Sequence, residues 1–424
     1  MPTLSARRES RPSPPPPAVT PRGAPAPRAA SLFVLGAGVV GREVLEQVSA
    51  LPPQTRPPFV DLRVVGVVTR RGGAFDVRGV RRSVVAELVA ARARRAAHAS
   101  ATARATGAIA SGASNPLELP ARATQLDALA RLGDTVLVDC TAADGMEDVY
   151  EEALARGLHV VTANKKPLVA PRDRVARIFA AAARSGASFR YEATVGAGLP
   201  IIGTLQGLVR TGDRVRSIEC ALSGTLGFVT NELARGAPLS EAVAAARSAG
   251  YTEPDPREDL AGTDVARKAV IVARELGIPV ELADVSLSPL VPAEALEAGG
   301  DLPGALRRLD AGFARRSEEL RARGEKLVYL ARIRAADPIS GAPPEVVVGP
   351  QAVPLDHPAA SLDGSSALVA ITSDRYPTAP LVVRGAGAGG PVTATAVLSD
   401  VFLSLQSTPR VRGAGSYAAG GAFA

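Results

Sequence analysis

An α/β fold in two parts, a doubly wound parallel sheet followed by a second α+β domain, is predicted by three observations. Short apolar runs at 31–35, 61–70, 135–142 and 159–165 alternate with helical patterns, the order that lays strands side by side in a parallel sheet. The turn GAGVVG, Gly36 to Gly41, stands directly between the first run and its helix. After about residue 190 the character shifts to longer helices and separate strand-like runs, which marks a different architecture.

Residues 1–30, with RPSPPPP and PRGAPAPRAA, hold too much proline and too little apolar side chain to fold. They read as a disordered tail or an organellar transit peptide. From Ser31, SLFVLGAGVVGREVLEQV gives a strand, a glycine turn and a helix with Val40, Val44, Leu45 and Val48 at helical spacing. DLRVVGVVTR at 61–70 is the second strand. Residues 72–115, rich in Ala, Arg and Gly without alternation, read as an enlarged loop or marginal helix. TVLVDCTA at 135–142 is a buried strand, EDVYEEALARG at 147–157 a helix ending at Gly157, and HVVTANK at 159–165 a further strand. In the second part SIECALSGTLGFV at 217–229 is strand-like. LSEAVAAARSAG at 239–250 is a helix with Ser240 as N-cap and Gly250 past its end, and TDVARKAVIVARELG at 263–277 is another, capped by Thr263. EVVVG and PLVVRG, near 345–383, add strands. The expected organisation is a Rossmann-type domain over 31–190 with 384–408 returning to it, a second domain over 191–383, and a flexible end at 409–424.

A chain of 424 residues, 46% hydrophobic and 21% charged, is long enough for two or three globular domains. Cys140 and Cys220 cannot form a disulfide framework, and no apolar run approaches the length of a membrane span or a secretory signal, so an intracellular protein is the simplest account. The net charge of +7 is concentrated in the tail, five Arg against Glu9, and in 70–104, nine Arg against Asp76 and Glu87. The remaining body is slightly acidic, which argues against a nucleic-acid surface. His98, His159 and His357 lack metal-like spacing, so neither a zinc site nor a histidine relay is expected. No GxSxG nucleophile elbow occurs.

GAGVVG has the GxGxxG form in its required context, after a strand and opening a helix. Gly36 permits the tight turn, Gly38 leaves no Cβ in the way of a pyrophosphate, and Gly41 lets helix and strand pack closely. Val39 and Val40 start the helix, whose free N–H groups and dipole favour an anion. Asp61 precedes the second strand and so lies at the wrong end for a ribose contact. Thr69, Arg70 and Arg71 follow the strand and suit a 2′-phosphate, so NADP is the preferred cofactor, with NAD possible.

Of 49 Lys plus Arg only Lys165, Lys166, Lys268 and Lys326 are lysines, and three of them fall in TANKKP and DVARK. A chain that favours Arg keeps Lys where a compact ammonium able to give up its proton is required. Asp264 and Lys268 share one helix face at its first turn; as surface decoration the pair would be worth only about 0.3–0.5 kcal/mol. Ahead of them Glu253 and Asp255 each precede a proline, which stiffens an extended loop bearing Glu253, Asp255, Glu258 and Asp259. Such a loop suits a small cationic amine. In YEATVGAGLP, Tyr191 to Pro200, a second glycine turn could present backbone carbonyls to a hard monovalent cation.

GAGVVG, TANKKP, YEATVGAGLP, SGTLGF, GYTEPDPREDLAGTDVARK and RGAGAGGPVTATAV stand in the order seen in homoserine dehydrogenase. Over roughly 31–408 the chain resembles that family, particularly the form fused to aspartokinase and the short fungal type. The resemblance implies NAD(P)-dependent interconversion of L-homoserine and L-aspartate 4-semialdehyde, on the threonine and methionine branch of amino-acid biosynthesis, in a homodimer. It implies that 191–383 is the catalytic and dimerisation domain. It makes Lys268 the group that exchanges a proton with the reacting oxygen, Asp264 the acid that orients substrate and lysine, and Lys165 the lysine beside nicotinamide and substrate. Glu253 would hold the substrate amino group, with Gly224, Thr225, Tyr251 and Asp259 at the substrate site. Thr141 and Gly389 would contact the cofactor, and Glu192, Val195, Ala197 and Leu199 would hold a sodium or potassium ion, mostly through backbone oxygens.

Three features depart from the family's pattern. The 72–115 region is longer and more basic, Gly227 and Phe228 stand where an aromatic hydroxyl is common, and no kinase or regulatory domain is expected beside the matching region, so no threonine feedback through one. Competing readings are another NADP-linked oxidoreductase of a small amino acid, and a non-catalytic NADPH-binding protein on the same fold.

Overall fold

The computed structural model describes residues 28–51, 60–69, 72–87, 121–253, 255–297 and 300–406. They build two six-stranded sheets. The first contains β1 Arg28–Leu35, β2 Val60–Thr69, β3 Gly72–Phe75, β4 Thr135–Asp139, β5 His159–Thr162 and β6 Phe189–Arg190, in the order β3-β2-β1-β4-β5-β6. All neighbours are parallel except β3, which folds back antiparallel on β2. This is the doubly wound sheet that the alternation predicts.

Alternate residues of β1 feed two cores. Leu32 and Val34 face a layer made by α1 (Val39–Ala50) and the last helix of the chain, Gly390–Gln406. Phe33 and Leu35 face the layer of α2 (Ala121–Ala130), α3 (Glu147–Ala155) and α4 (Arg172–Ser185). Apolar residues on both faces are what a central parallel strand requires. In α1 the buried positions are Gly41, Val44, Leu45 and Val48, at helical spacing, while Val40 is only partly covered.

The second sheet contains β7 Val215–Ala221, β8 Ser286–Leu287, β9 Glu325–Arg334, β10 Glu345–Pro354, β11 Ser366–Ser373 and β12 Leu381–Ala386, in the order β12-β11-β7-β9-β10-β8. Every pairing is antiparallel except that of β8 with β10. Around it run α5 (Ile202–Arg210), α6 (Gly224–Ala234), α7 (Leu239–Ser248), α8 (Pro256–Leu260), α9 (Thr263–Glu275), α10 (Ala293–Glu297) and α11 (Leu302–Ala322); the last helix is α12. Ile218, Cys220, Tyr329, Ala331, Ile333 and Val369 on one face of the sheet bury against α6, α7, α9 and α11.

Several boundaries differ from the sequence reading. β1 begins at Arg28, inside the expected tail, and the Arg28 guanidinium donates to Leu405 O at 3.0 Å, tying strand to α12. β5 stops at Thr162, short of Lys165. The 217–229 run is not one strand: it ends at Ala221, and Ser223 caps α6, its Oγ accepting from Leu226 N–H at 3.1 Å. Leu226, Val229 and Leu233 have helical rather than alternating spacing, which is the signal that prevails. Ser240 is not the cap of α7; Pro238 is, and Ser240 instead donates its N–H and hydroxyl to Asp310 at 2.8 and 2.7 Å. Gly262, not Thr263, caps α9. Residues 384–386 belong to β12 in the second sheet, so it is α12 that returns to the first. In the 72–115 region, 72–75 is strand and 82–87 helical; residues beyond 87, together with Arg70 and Arg71, lie outside the described residues. Among the described residues no helix is long and apolar enough to cross a membrane.

Candidate active site

The strand order reverses between β1 and β4, and at the C-terminal ends of such a pair an open α/β sheet forms a crevice. Gly36 lies there at φ +86°, its N–H donating to Val68 O at 2.8 Å. A Cβ on Gly41 would stand 1.8 Å from Gly36 O, so only glycine fits. Gly38 is the N-cap of α1 and brings no side chain to its first N–H groups, at Val39 and Val40. No side chain caps them, the arrangement that suits an anion. On the opposite wall Cys140 N–H donates to Leu35 O at 2.8 Å, and Thr141 Cγ2 would be 2.8 Å from a Cβ on Gly36. Gly389, at φ +126°, accepts the N–H and hydroxyl of Thr393 at 3.0 and 2.8 Å and so starts α12. The next residue, Gly390, approaches so closely that a Cβ would sit 2.9 Å from Val39 Cγ1. Gly36, Gly38, Val39, Val40, Gly41, Thr141 and Gly389 therefore surround one crevice, although they are more than 350 residues apart at the extremes.

Lys165 reaches the second sheet's helices from just past β5. Its Nζ is 3.2 Å from Asp264 Oδ1, while Lys268 Nζ is 2.8 Å from Asp264 Oδ2. One carboxylate thus bridges two ammonium groups carried by different domains. Lys268 also donates to Leu222 O at 2.8 Å, and its side chain is only 12% exposed against 47% for Asp264. Burial pushes the Lys268 pKa below the ordinary lysine value, Lys165 adds to that, and Asp264 opposes it. Burial works upward on Asp264, but the two lysines outweigh it and hold the carboxyl below the usual range. Gly262 seats the start of α9: it has φ +72°, and a Cβ there would be 1.9 Å from the Tyr329 hydroxyl, which itself donates to Ser288 O at 2.8 Å.

Around this cluster the Thr225 hydroxyl lies 2.5 Å from Tyr251 O and 3.0 Å from Asp259 Oδ1. Asp259 Oδ2 accepts the N–H of Glu253 at 2.8 Å. Burial pushes the Asp259 pKa up, and the Glu253 N–H and Thr225 hydroxyl work against it. Glu253 is exposed, with its backbone fixed and its carboxylate without an ion pair among the described residues. Asp255 departs from the expected acidic cradle, because it caps α8 through Arg257 N–H and pairs with the Arg257 guanidinium at 3.3 Å. Gly224 is the first residue of α6, where a Cβ would press on Ser365 at 3.0 Å. Phe228 and Tyr251 pack against each other with ring centres 5.1 Å apart and planes tilted by 47°.

The 192–199 loop passes between α5 and α12. The Glu192 carboxylate accepts from Ile202 and Gly203 N–H at 2.7 and 2.8 Å, closing the N-terminus of α5, and Glu192 N–H donates to Asp400 at 2.8 Å. Gly196 and Ala197 are consecutive left-handed residues at φ 75° and 58°. Ala197 is the only non-glycine with positive φ among the described residues.

Two family models match the chain in succession: "Homoserine dehydrogenase, NAD binding domain" over residues 36–192 and "Homoserine dehydrogenase" over 200–402. A homoserine dehydrogenase of Emericella nidulans is 39% identical over 286 residues, which cover 65% of this chain and 76% of that protein. This chain belongs to the homoserine dehydrogenase family. The chloroplastic bifunctional aspartokinase/homoserine dehydrogenase 1 of Zea mays is 37% identical over 87% of this chain, and the chain spans 38% of that protein's length. A crystal structure of a Candida auris protein of unknown function superposes with a TM-score of 0.74 at 32% identity, covering 89% of this chain and 99% of that one.

As a member of the homoserine dehydrogenase family the chain combines a nicotinamide-cofactor domain with a second domain, and their facing surfaces hold the candidate residues. The structure gathers these residues into two neighbouring polar networks, Lys165–Asp264–Lys268 and Thr225–Tyr251–Asp259–Glu253, close enough for Asp259 to feel the charge of Asp264. Arg70 lies outside the described residues. A cavity of about 290 Å³ lined by Leu168, Phe179, Tyr191, Ile271 and Glu275 includes none of the candidate catalytic residues. Sequence reasoning missed Leu222, whose contact is a backbone oxygen and leaves no side-chain signal. It also missed Asp139, Tyr150 and Asn164 behind the crevice. The sign of that group was an aspartate within the buried run TVLVDC.

Proposed function

We propose that this chain catalyses the NAD(P)-dependent interconversion of L-homoserine and L-aspartate 4-semialdehyde. The observation that carries the reading is Asp264 bridging Lys165 and Lys268 between the cofactor domain and α9. In the oxidative direction Lys268 Nζ takes the hydroxyl proton of the substrate, a role its burial and lowered pKa favour because the neutral amine is then more accessible. A bound nicotinamide cofactor supplies the acceptor for the hydride that leaves the carbinol carbon. Asp264 orients Lys268 and Lys165, and Glu253 receives the substrate ammonium on a backbone held by Asp259.

The chain's own geometry fits a dinucleotide: Gly36 and Gly41 leave no room for a Cβ, and α1 has no side-chain cap. Gly38, Val39, Val40, Thr141 and Gly389 would line its path, with Arg70 at a 2′-phosphate, which favours NADP over NAD. The 192–199 turn fits a sodium or potassium ion held by main-chain oxygens of Glu192, Val195, Ala197 and Leu199. An alanine kept left-handed costs about 1–2 kcal/mol, which a bound ion would offset. The Glu192 side chain is already engaged by α5, and its backbone oxygen, which accepts Val195 N–H at 3.3 Å, keeps a second lone pair for that role. A homodimer of the 43.4 kDa chain belongs to the same reading and is checked by light-scattering mass. The compartment is cytoplasmic, or a plastid if residues 1–30 act as a transit peptide; a fluorescent fusion of those residues decides.

The test is near-ultraviolet absorbance of the reduced cofactor as the purified chain meets L-homoserine with NADP, then NAD, with and without potassium. Growth of the band is expected, faster with NADP. A flat trace from protein that binds NADPH would overturn the reaction and leave either an oxidoreductase of another small amino acid or a non-catalytic cofactor binder.

A further inference from the structure

Asp139 ends β4 with 0% exposure, and no lysine or arginine pairs with it among the described residues. Three donors satisfy it instead. Thr141 N–H reaches Oδ1 at 2.7 Å, the Tyr150 hydroxyl reaches Oδ2 at 2.5 Å, and Asn164 Nδ2 reaches Oδ2 at 3.3 Å. Tyr150, from α3, also meets Thr162 Oγ1 at 2.8 Å. Asn164 donates its Nδ2 to Ala143 O at 2.8 Å and its N–H to Thr162 Oγ1 at 2.9 Å, while its Oδ1 accepts Lys166 N–H at 3.1 Å. At the surface the same two loops are joined again by Lys166 Nζ and Asp144 Oδ2 at 2.8 Å.

The web therefore stitches the loop after β4, which bears Thr141, to the loop after β5, which bears Lys165. It is expensive. A buried carboxylate at the end of β4, a tyrosine hydroxyl from α3 and a loop amide sit beside the apolar core of Leu137, Leu154 and Val160, and apolar side chains of that volume would be at least as stable. What apolar packing would not supply is direction: Tyr150 ties the ends of β4 and β5 together through Asp139 and Thr162, and the remaining bonds fix the Thr141 and Asn164 backbones, Ala143 O and Lys166 N–H.

We propose that Asp139, acting through Tyr150 and Asn164, is a positioning residue: it sets Lys165 opposite Asp264 and Thr141 against the cofactor crevice. The kinetic part rests on the proposed dehydrogenase reaction; the binding part does not.

The test is Tyr150→Phe in the full chain, which removes one donor and keeps the ring. Expected are a kcat lower by about tenfold, NADPH binding by fluorescence titration weaker by about threefold or more, and a KM for homoserine within about twofold, because the Glu253 loop is untouched. A merely structural role would lower the melting temperature and leave kcat and the NADPH Kd as they were, and that result overturns the proposal. Asp139→Asn combined with Tyr150→Phe should be little worse than Asp139→Asn alone, and additive losses would also overturn it. Should Asp139→Asn fail to fold, Asn164→Ser runs the same cycle. A chain that never oxidises homoserine would defeat the reaction, while its NADPH Kd would still read the positioning.

Discussion

The two lysines that meet at Asp264 are held in different ways. Lys268 lies on the same helix as Asp264, one turn along, with a 12% exposed side chain locked between that carboxylate and Leu222 O. Lys165, 30% exposed, comes from a loop of the other domain and touches Asp264 at the longer distance of 3.2 Å. A helix turn delivers the acid and the first lysine together by local spacing alone. The second arrives only if the two sheets dock and the loop after β5 is set. Burial depresses the pKa of the helical lysine, which is why the proposed reaction gives the proton transfer to Lys268 and charge and placement to Lys165.

The largest effect that would break this division comes from Lys268→Ala. We expect kcat to fall on the order of 10²–10⁴, and steady-state rates within threefold of wild type would remove Lys268 from the proton transfer. Asp264→Asn sharpens the comparison by uncoupling both lysines at once. Loss of its charge lets the Lys268 pKa drop further, since Asp264 is what raises it. The rising limb of the pH–rate profile for homoserine oxidation is expected below the ordinary lysine value of about 10.4 in wild type and lower still in the variant, while kcat falls about 10- to 100-fold. An inflection that stays put or moves upward contradicts the linkage.

Glu253→Gln probes the part of the site outside both lysines. It should raise KM for the amino-acid substrate about tenfold with kcat little changed, the value of one charge-assisted hydrogen bond. A fall in kcat at constant KM would assign Glu253 to the transition state instead. The smallest effect is in stability. The Asp264 carboxyl is held below its unfolded value of about 3.9, so its contribution is present above that pH and is lost as pH falls through the lower folded value. With the group half exposed, that contribution is below about 1 kcal/mol. The difference in melting temperature between wild type and Asp264→Asn should narrow as pH drops below 4.

Much of this site was legible because its signals are local. Gly36, Gly38 and Gly41 declare a phosphate turn by spacing, and Asp264 with Lys268 declares a shared face. Scarcity of lysine marked Lys165 although its partner was 99 residues away. The misreadings share a cause. Ser240 and Thr263 have the chemistry of caps, yet Asp310 on α11 draws off the first, and the close approach of Tyr329 on β9 puts Gly262 at the start of α9. Ser223, by contrast, caps a helix that its apolar neighbours had disguised as strand. Asp255 kept the expected extended backbone but spends its charge on α8 and Arg257.

The sequence by itself determined the doubly wound sheet, the glycine turn at its switch point and the acid–lysine helix, because strand alternation, glycine spacing and helical periodicity act over a few residues. Only the tertiary structure decided that Lys165 would share Asp264 with Lys268, that Gly389 and Gly390 would press on Val39, and that Asp139 would join two loops. Those contacts join segments brought together by packing, and the burial that shifts Lys268 exists only once the second sheet and its helices have closed around it.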